Sequence, residues 1–347
     1  MLTCQQVCNE IGPRRPNAPV RNHLLLGNGF SIACDQIFKY EKLFQYAKES
    51  GLPQEVVGLF DYFGTNNFEG VLKQLEDCNW IANHYRIIPG VLERFFVEEY
   101  ESVKTALIHA VTKTHLARPA DIAVEKKNAC VNFLSPYYNI FTTNYDLLLY
   151  WTTMHGADQL EMRDGFRSDS DDQSGPLVFS SSVRDQQAIL FLHGALHLFY
   201  ERGSVRKHRW SSTGVPLMDA IRTSLESKQF PLFVAEGISE KKLDQIQRNG
   251  YLSYCFGKLQ RIQNALVTFG FSFGESDKHI GEVIATNDKL KVLYVGLYGD
   301  PECEGNLKIK SNVAAFVEKR TRLIESHRMK QPLTVQYYDA TSAKVWG

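Results

Sequence analysis

Hydrophobic residues recur along this chain in two rhythms. Short, nearly continuous apolar runs, each closed by glycine or polar residues, lie at 23–26 (HLLL), 138–142 (YNIFT), 188–194 (AILFLHG), 265–274 (ALVTFGFSFG), 291–299 (KVLYVGLYG) and 332–339 (PLTVQYYD). Runs of that length without polar alternation predict parallel strands covered on both faces. After the first run the apolar positions 30, 33, 37, 40, 44 and 47 have helical spacing. From 51 to 135 the pattern is helical only. There "TNNFEGVLKQLEDCNWIANHY" offers Asn66 as N-cap and Glu69 three residues on as a capping box, ahead of a face formed by Phe68, Val71, Leu72, Leu75, Cys78 and Ile81. Segment 167–176 reads as a polar loop. Segment 215–264 is mixed, with a helical face at Leu252, Cys255, Phe256, Leu259 and Ile262. The reading is an α/β protein: a Rossmann-like, doubly wound parallel sheet from 1–50 and 136–347, carrying a helical insertion subdomain at 51–135.

Composition adds exclusions. Hydrophobic residues make up 44% of the 347, enough for a substantial core rather than a disordered chain. Lys plus Arg and Asp plus Glu are equal at 39 each, so total charge gives no indication of a nucleic-acid or membrane surface. Seven cysteines at 4, 8, 34, 78, 130, 255 and 303 are odd in number and form no CxxC pair, which argues for reduced, mostly buried thiols and against a disulfide framework or zinc ribbon. The N-terminus lacks a signal-peptide apolar region, and no run of about 18 apolar residues occurs, so a cytoplasmic protein is expected.

Four strand ends carry candidate chemistry. In "FTTNYD" (141–146) an amide and a carboxylate follow a buried strand; they either turn the chain and cap the next helix or face a ligand at the carboxyl end of a sheet. "GNGFS" (27–31) is not GxGxxG, because position 32 is Ile. Its glycines answer equally to a steric need at a strand-to-helix turn and to close approach of a pyrophosphate, with Ser31 offering a hydroxyl. "FLHGALHLF" places His193 and Gly194 just past a strand, where a histidine is either structural or a base. His197 four residues on completes no HExxH pattern, and no metal is expected. "TFGFSFGESDKHI" supplies Gly270, Ser272 and Gly274, then Ser276 or Asp277 as cap. It is either a plain strand-to-helix turn or another wall of a nucleotide site.

Taken in order, these motifs resemble the sirtuin-like NAD-binding superfamily, whose sirtuins proper have G-A-G-x-S, T-Q-N-x-D, H-G and G-T-S. The resemblance implies that Gly27, Gly29 and Ser31, with Asn28 and Phe30, hold a pyrophosphate. Asn144, next to Thr143, would lie by the nicotinamide ribose, Asp146 would hold the carboxamide, and His193 would be the general base. Gly270 and Ser272 would contact the adenosine half, Tyr338 with Asp339 would approach the adenine, and Asp277 is a further cofactor-binding candidate. Sirtuin deacylases carry two CxxC pairs after the H-G and a G-I-P-x-F-R loop after the glycine turn; here 197–265 holds only Cys255 and the loop is missing. The chain is therefore more similar to bacterial sirtuin-like NAD-cleaving effectors of Thoeris and related anti-phage systems. NAD is then substrate, and a homo-oligomer or a partner defence protein is expected. Breaking the nicotinamide–ribose bond through an oxocarbenium-like state requires positioning more than covalent work. A histidine near its ordinary pKa of about 6.5 can take a proton from water, worth roughly 10²–10⁴-fold. The alternative is a non-catalytic NAD or ADP-ribose sensor controlling a partner.

Overall fold

A computed structural model describes residues 1–12, 22–49, 52–86, 91–160, 163–169, 175–181, 188–209, 216–235 and 237–347. Its strands, in chain order, are β1 (Leu2–Thr3), β2 (Asn22–Leu26), β3 (Asn139–Thr142), β4 (Phe166–Arg167), β5 (Leu177–Phe179), β6 (Ala188–Phe191), β7 (Gly194–Glu201), β8 (Ser204–Lys207), β9 (Pro231–Phe233), β10 (Asn264–Phe269), β11 (Leu290–Leu297) and β12 (Thr334–Asp339). Seven of them form one parallel sheet in the order β6-β3-β2-β10-β11-β12-β1. Every residue of β2 and β3 is buried. Successive side chains point to opposite faces, so burial of all of them means that both faces are covered, which is why these strands read as unbroken apolar runs.

The order is that of a doubly wound Rossmann-like sheet. Strands β2, β3 and β6 step outward to one side, then the chain returns to lay β10 against the other side of β2 and steps outward through β11 and β12. The winding reverses between β2 and β10, and in such sheets the crevice at that reversal, outside the carboxyl ends of the strands, is where ligands bind.

The first eleven residues join this sheet: β1 pairs with β12, Leu2 opposite Tyr338, and the helix Cys4–Ile11 follows. The runs 265–274 and 291–299 end as strands at Phe269 and Leu297. The run 188–194 splits: β6 stops at Phe191, and β7 starts at Gly194 in a second, antiparallel sheet of order β4-β5-β8-β7-β9. Gly194 makes this turn with φ +84°, and a Cβ there would lie 2.0 Å from the Leu232 carbonyl oxygen, so only glycine fits. Part of the expected polar loop, 170–174, lies outside the described residues.

Between β2 and β3 run the helices Tyr40–Glu49, Gln54–Phe63, Phe68–His84, Val91–Thr114 and Val124–Leu134. Phe44, Phe60 and Phe68 stack at 4.3–6.3 Å and knit the first three together. The helix Phe68–His84 is capped by Asn67, not Asn66: its side-chain oxygen accepts from the Glu69 and Gly70 amides. Glu69 does not close a capping box; its carboxylate turns into the body of the protein. Among the described residues no helix is long and apolar enough to cross a membrane.

Candidate active site

A cleft of about 960 Å³ opens along the carboxyl ends of the parallel strands, near the upper end of the roughly 300–1,000 Å³ usual for small-molecule sites. Asn28, Thr143, Asn144, Asp146, His193, Gly270, Ser272 and Asp277 line it. Its far arm passes the end of β11 at Tyr298, which is 75% exposed, and Asn306 and Lys308 of the helix Glu304–Glu325. The helical segment closes the other end with Tyr40, Glu69 and Val111.

The glycine turn sits at the winding reversal, but its shape answers to packing. A Cβ on Gly27 would lie 2.4 Å from the Gly270 carbonyl oxygen, and one on Gly29 would lie 2.5 Å from Gly270 Cα. The two turns touch backbone to backbone. The Gly27 amide donates to Phe269 O, Gly29 to Gly270 O and Phe30 to Gly27 O. Those three N–H groups are thus not available for a pyrophosphate. Phe30 is buried against Trp346, at 5.0 Å between rings, and does not line the cleft. Ser31 is fully buried as well; it serves the cleft from behind.

What Ser31 does is hold Asn144. The Asn144 side-chain nitrogen donates to Gly27 O (3.0 Å) and to Ser31 Oγ (2.7 Å), and Ser31 Oγ donates in turn to Asp146 Oδ2 (2.5 Å). Because Gly27 O can only accept, the amide orientation is fixed and Asn144 Oδ1 is left as the acceptor for the cleft. Asp146 also accepts from the Leu148 amide through Oδ1 (2.9 Å), ordering the turn that leads into the helix Leu148–His155, whose N-cap is Leu147. So the turning role and the site role of "TTNYD" coexist: Asp146 orders the turn and, through Ser31, fixes Asn144. The register Thr142 opposite Phe191 places Asn144 and His193 each two residues beyond a paired position on adjacent strands.

His193 is one member of a buried polar chain. Its Nε2 lies 3.1 Å from His279 Nε2 and 3.8 Å from Asp277 Oδ1, and His279 Nδ1 lies 2.9 Å from Ser239 Oγ. Lys242, fully buried, donates to Asp277 Oδ1 and to Glu69 Oε2, both at 3.0 Å. Ser276 Oγ donates to the same Glu69 oxygen, and Tyr145 OH donates to Val234 O at 2.6 Å with Glu69 Oε1 at 3.4 Å. Burial, then Lys242 and His279, push His193 well below the ordinary histidine value, only partly opposed by Asp277. It does not titrate near 6.5 as expected from an exposed ring. Burial likewise brings His279 down to about 4, so both rings are neutral at pH 7. Burial raises Asp277, yet Lys242 and the histidines leave it below the usual carboxylate range; burial raises Glu69 despite the same ammonium.

His193, Asp277 and His279 bring three ligand atoms within 4.8 Å of one another, a spacing a metal could use. The Asp277 oxygen nearest His193 also accepts from the Lys242 ammonium, a positive charge already inside this cluster. His197 takes no part: its buried ring stacks on Tyr150 at 4.6 Å.

Two expected adenine contacts are elsewhere. Tyr338 is wholly buried, with its hydroxyl donating to Thr268 O (2.9 Å), and Asp339 accepts from the Thr341 amide and hydroxyl to start the turn Ala340–Ala343. Neither lines the cleft, because β12 stands two strands away from the reversal.

Sequence reasoning missed Glu69, Ser239, Lys242 and His279. Lys242 left one trace: Ser239, Lys242 and Ile246 share the buried stripe of the helix Ser239–Arg248, a lysine where the helical period asks for an apolar residue.

Fold and site together define a Rossmann-like α/β protein with a cleft at the winding reversal, apolar over most of its wall and carrying a few convergent polar groups. The chain belongs to the DUF4917 family, described as a domain of unknown function, whose profile matches residues 24–346. No curated protein matches it.

Proposed function

We propose that this chain is an NAD glycohydrolase of sirtuin-like type, cleaving NAD to nicotinamide and ADP-ribose. The observation that supports this best is that Asn144 and His193 follow the ends of adjacent strands and line one cleft at the winding reversal. The reaction needs its ribose and water held against an oxocarbenium-like centre rather than a covalent partner. Asn144 offers an uncharged acceptor already locked by Gly27 and Ser31, and His193 offers a second, neutral contact. Depletion of NAD in anti-phage defence is the setting that goes with the resemblance. Incubating the protein with NAD and following nicotinamide by chromatography tests the reading: Asn144→Ala and His193→Ala each reduce release by about 10²-fold or more, within the usual range for a positioned polar group. Equal release by wild type and the double variant under every activating condition sinks it.

One observation favours a second reading, a nucleotide sensor without turnover: a histidine so far below its ordinary pKa is a weak base. That reading expects ADP-ribose binding that survives His193→Ala, with no nicotinamide released.

A further inference from the structure

We infer that Ser239 and His279 hold His193 in its Nδ1–H tautomer, so that the ring meets a ligand as a hydrogen-bond donor beside the Asn144 acceptor, a pairing that selects a hydroxyl. The first half stands on the polar chain alone; the second rests on the nucleotide reading of the cleft.

The order of protons follows from one unambiguous donor. The His279 backbone amide donates to Ser239 Oγ at 2.7 Å. The hydroxyl hydrogen of Ser239 then needs an acceptor, and among the described residues the one within reach is His279 Nδ1, at 2.9 Å. With Nδ1 accepting, a neutral His279 carries its hydrogen on Nε2. That hydrogen points at His193 Nε2, 3.1 Å away, which must therefore be a lone pair, and the His193 hydrogen sits on Nδ1. The opposite arrangement leaves the Ser239 hydrogen without a partner in a buried setting, and an unmade buried hydrogen bond is the costly case. Other charged groups do not reverse the order: Asp277 Oδ1, the acceptor that would favour a proton on His193 Nε2, lies 3.8 Å away, beyond hydrogen-bond reach, and Lys242 can only donate and is directed to Glu69 and Asp277.

With Nε2 turned to His279, Nδ1 is the ring nitrogen left for the cleft. His193 then presents a donor and Asn144 Oδ1 an acceptor, at neighbouring strand ends. A hydroxyl satisfies both by accepting from one and donating to the other. A ribose carries such groups; a carboxylate or phosphate oxygen would meet Asn144 Oδ1 with repulsion.

Selective nitrogen-15 labelling of histidine in the full chain, read by long-range proton–nitrogen correlation, reports each ring's tautomer without any ligand, with assignments from His193→Gln and His279→Gln. The expected result is His193 protonated on Nδ1 and His279 on Nε2. Ser239→Ala mixes the tautomers of both rings, and Ser239→Thr, which keeps the hydroxyl, restores them. His193 protonated on Nε2 in the wild type, or tautomers indifferent to Ser239→Ala, overturns the inference. Titration with ADP-ribose then shifts the His193 Nδ1 signal. An unmoved signal on a ring with the expected tautomer refutes the nucleotide reading and leaves the tautomer assignment standing.

Discussion

Replacing Lys242 with Met is the sharpest test of how the cleft is held together. The ammonium is completely buried between Glu69 Oε2 and Asp277 Oδ1, 3.0 Å from each. At an effective dielectric of about 20, each contact is worth roughly 5 kcal/mol of gross attraction, most of it offset by the loss of hydration on burying three charges. The variant keeps two largely buried carboxylates, with 12% and 17% of their side chains exposed, and loses the attraction, so the net destabilisation is at most about 3–5 kcal/mol at pH 7. The loss depends on pH in a definite direction. Without Lys242 the folded pKa values of both carboxylates rise above the unfolded values of about 4. Groups raised in this way are neutral in both states below pH of about 4 and destabilise the fold as pH climbs through their folded values. Urea unfolding of wild type and variant at pH 4, 5, 6 and 7 should show a deficit that grows with pH, and adding Glu69→Gln should recover part of it. A deficit under about 1 kcal/mol at pH 7, or one that does not shrink toward pH 4, refutes the view that this lysine compensates the cluster.

The wild type should lose stability on acidification. His279 falls to about 4 in the fold from about 6.5 unfolded, so the unfolded chain binds more protons between those values and stability drops as pH falls through them. From pH 7 to pH 5 this one ring accounts for about 2 kcal/mol, and His193 and His115, also lowered by burial, act in the same direction; equal urea midpoints at the two pH values would contradict this. Gly29→Ala drives a Cβ to 2.5 Å from Gly270 Cα and should cost about 1–3 kcal/mol or more while weakening ADP-ribose binding, read by calorimetry. Ser31→Ala leaves Asn144 and Asp146 unbridged, costs about 1–3 kcal/mol, and should lower nicotinamide release further than its stability loss explains, when release is measured well below the unfolding midpoint.

The parallel sheet was legible because burial on both faces writes itself into continuous apolar runs, and each of the runs 23–26, 138–142, 188–194, 265–274, 291–299 and 332–339 contains one of its strands, three of them stopping short at Phe191, Phe269 and Leu297. The antiparallel sheet was not. Its strands are as short as two residues, and β7 keeps six buried positions in a row, so no period-2 signal separates it from β6. Only Gly194 marks the break, and a lone glycine after a histidine says nothing of the carbonyl that excludes a side chain there. The N-terminal strand was hidden for a similar reason: two residues carry no periodicity, and pairing with β12 is a fact about the other end of the chain.

The site divides along the same line. Residues at strand ends could be found, since a polar group that interrupts a buried run has to face either a turn or a ligand. Which of them face the ligand could not, because that depends on who uses each polar atom. Gly27, Gly29 and Ser31 carried the look of a pyrophosphate cradle, yet the two glycine amides and the Ser31 hydroxyl are taken up by Phe269, Gly270 and Asp146. The glycines are needed so that two turns can touch, and that contact brings the Gly27 carbonyl to Asn144. The turn therefore acts on the cleft through one side chain, and its variants should change how Asn144 is aimed before they change how tightly phosphate is held. Glu69 inverts the lesson: a residue spaced for a capping box is instead the carboxylate that ties the helical segment to Lys242, so the helices between β2 and β3 form one wall of the cleft and cannot be removed without opening it.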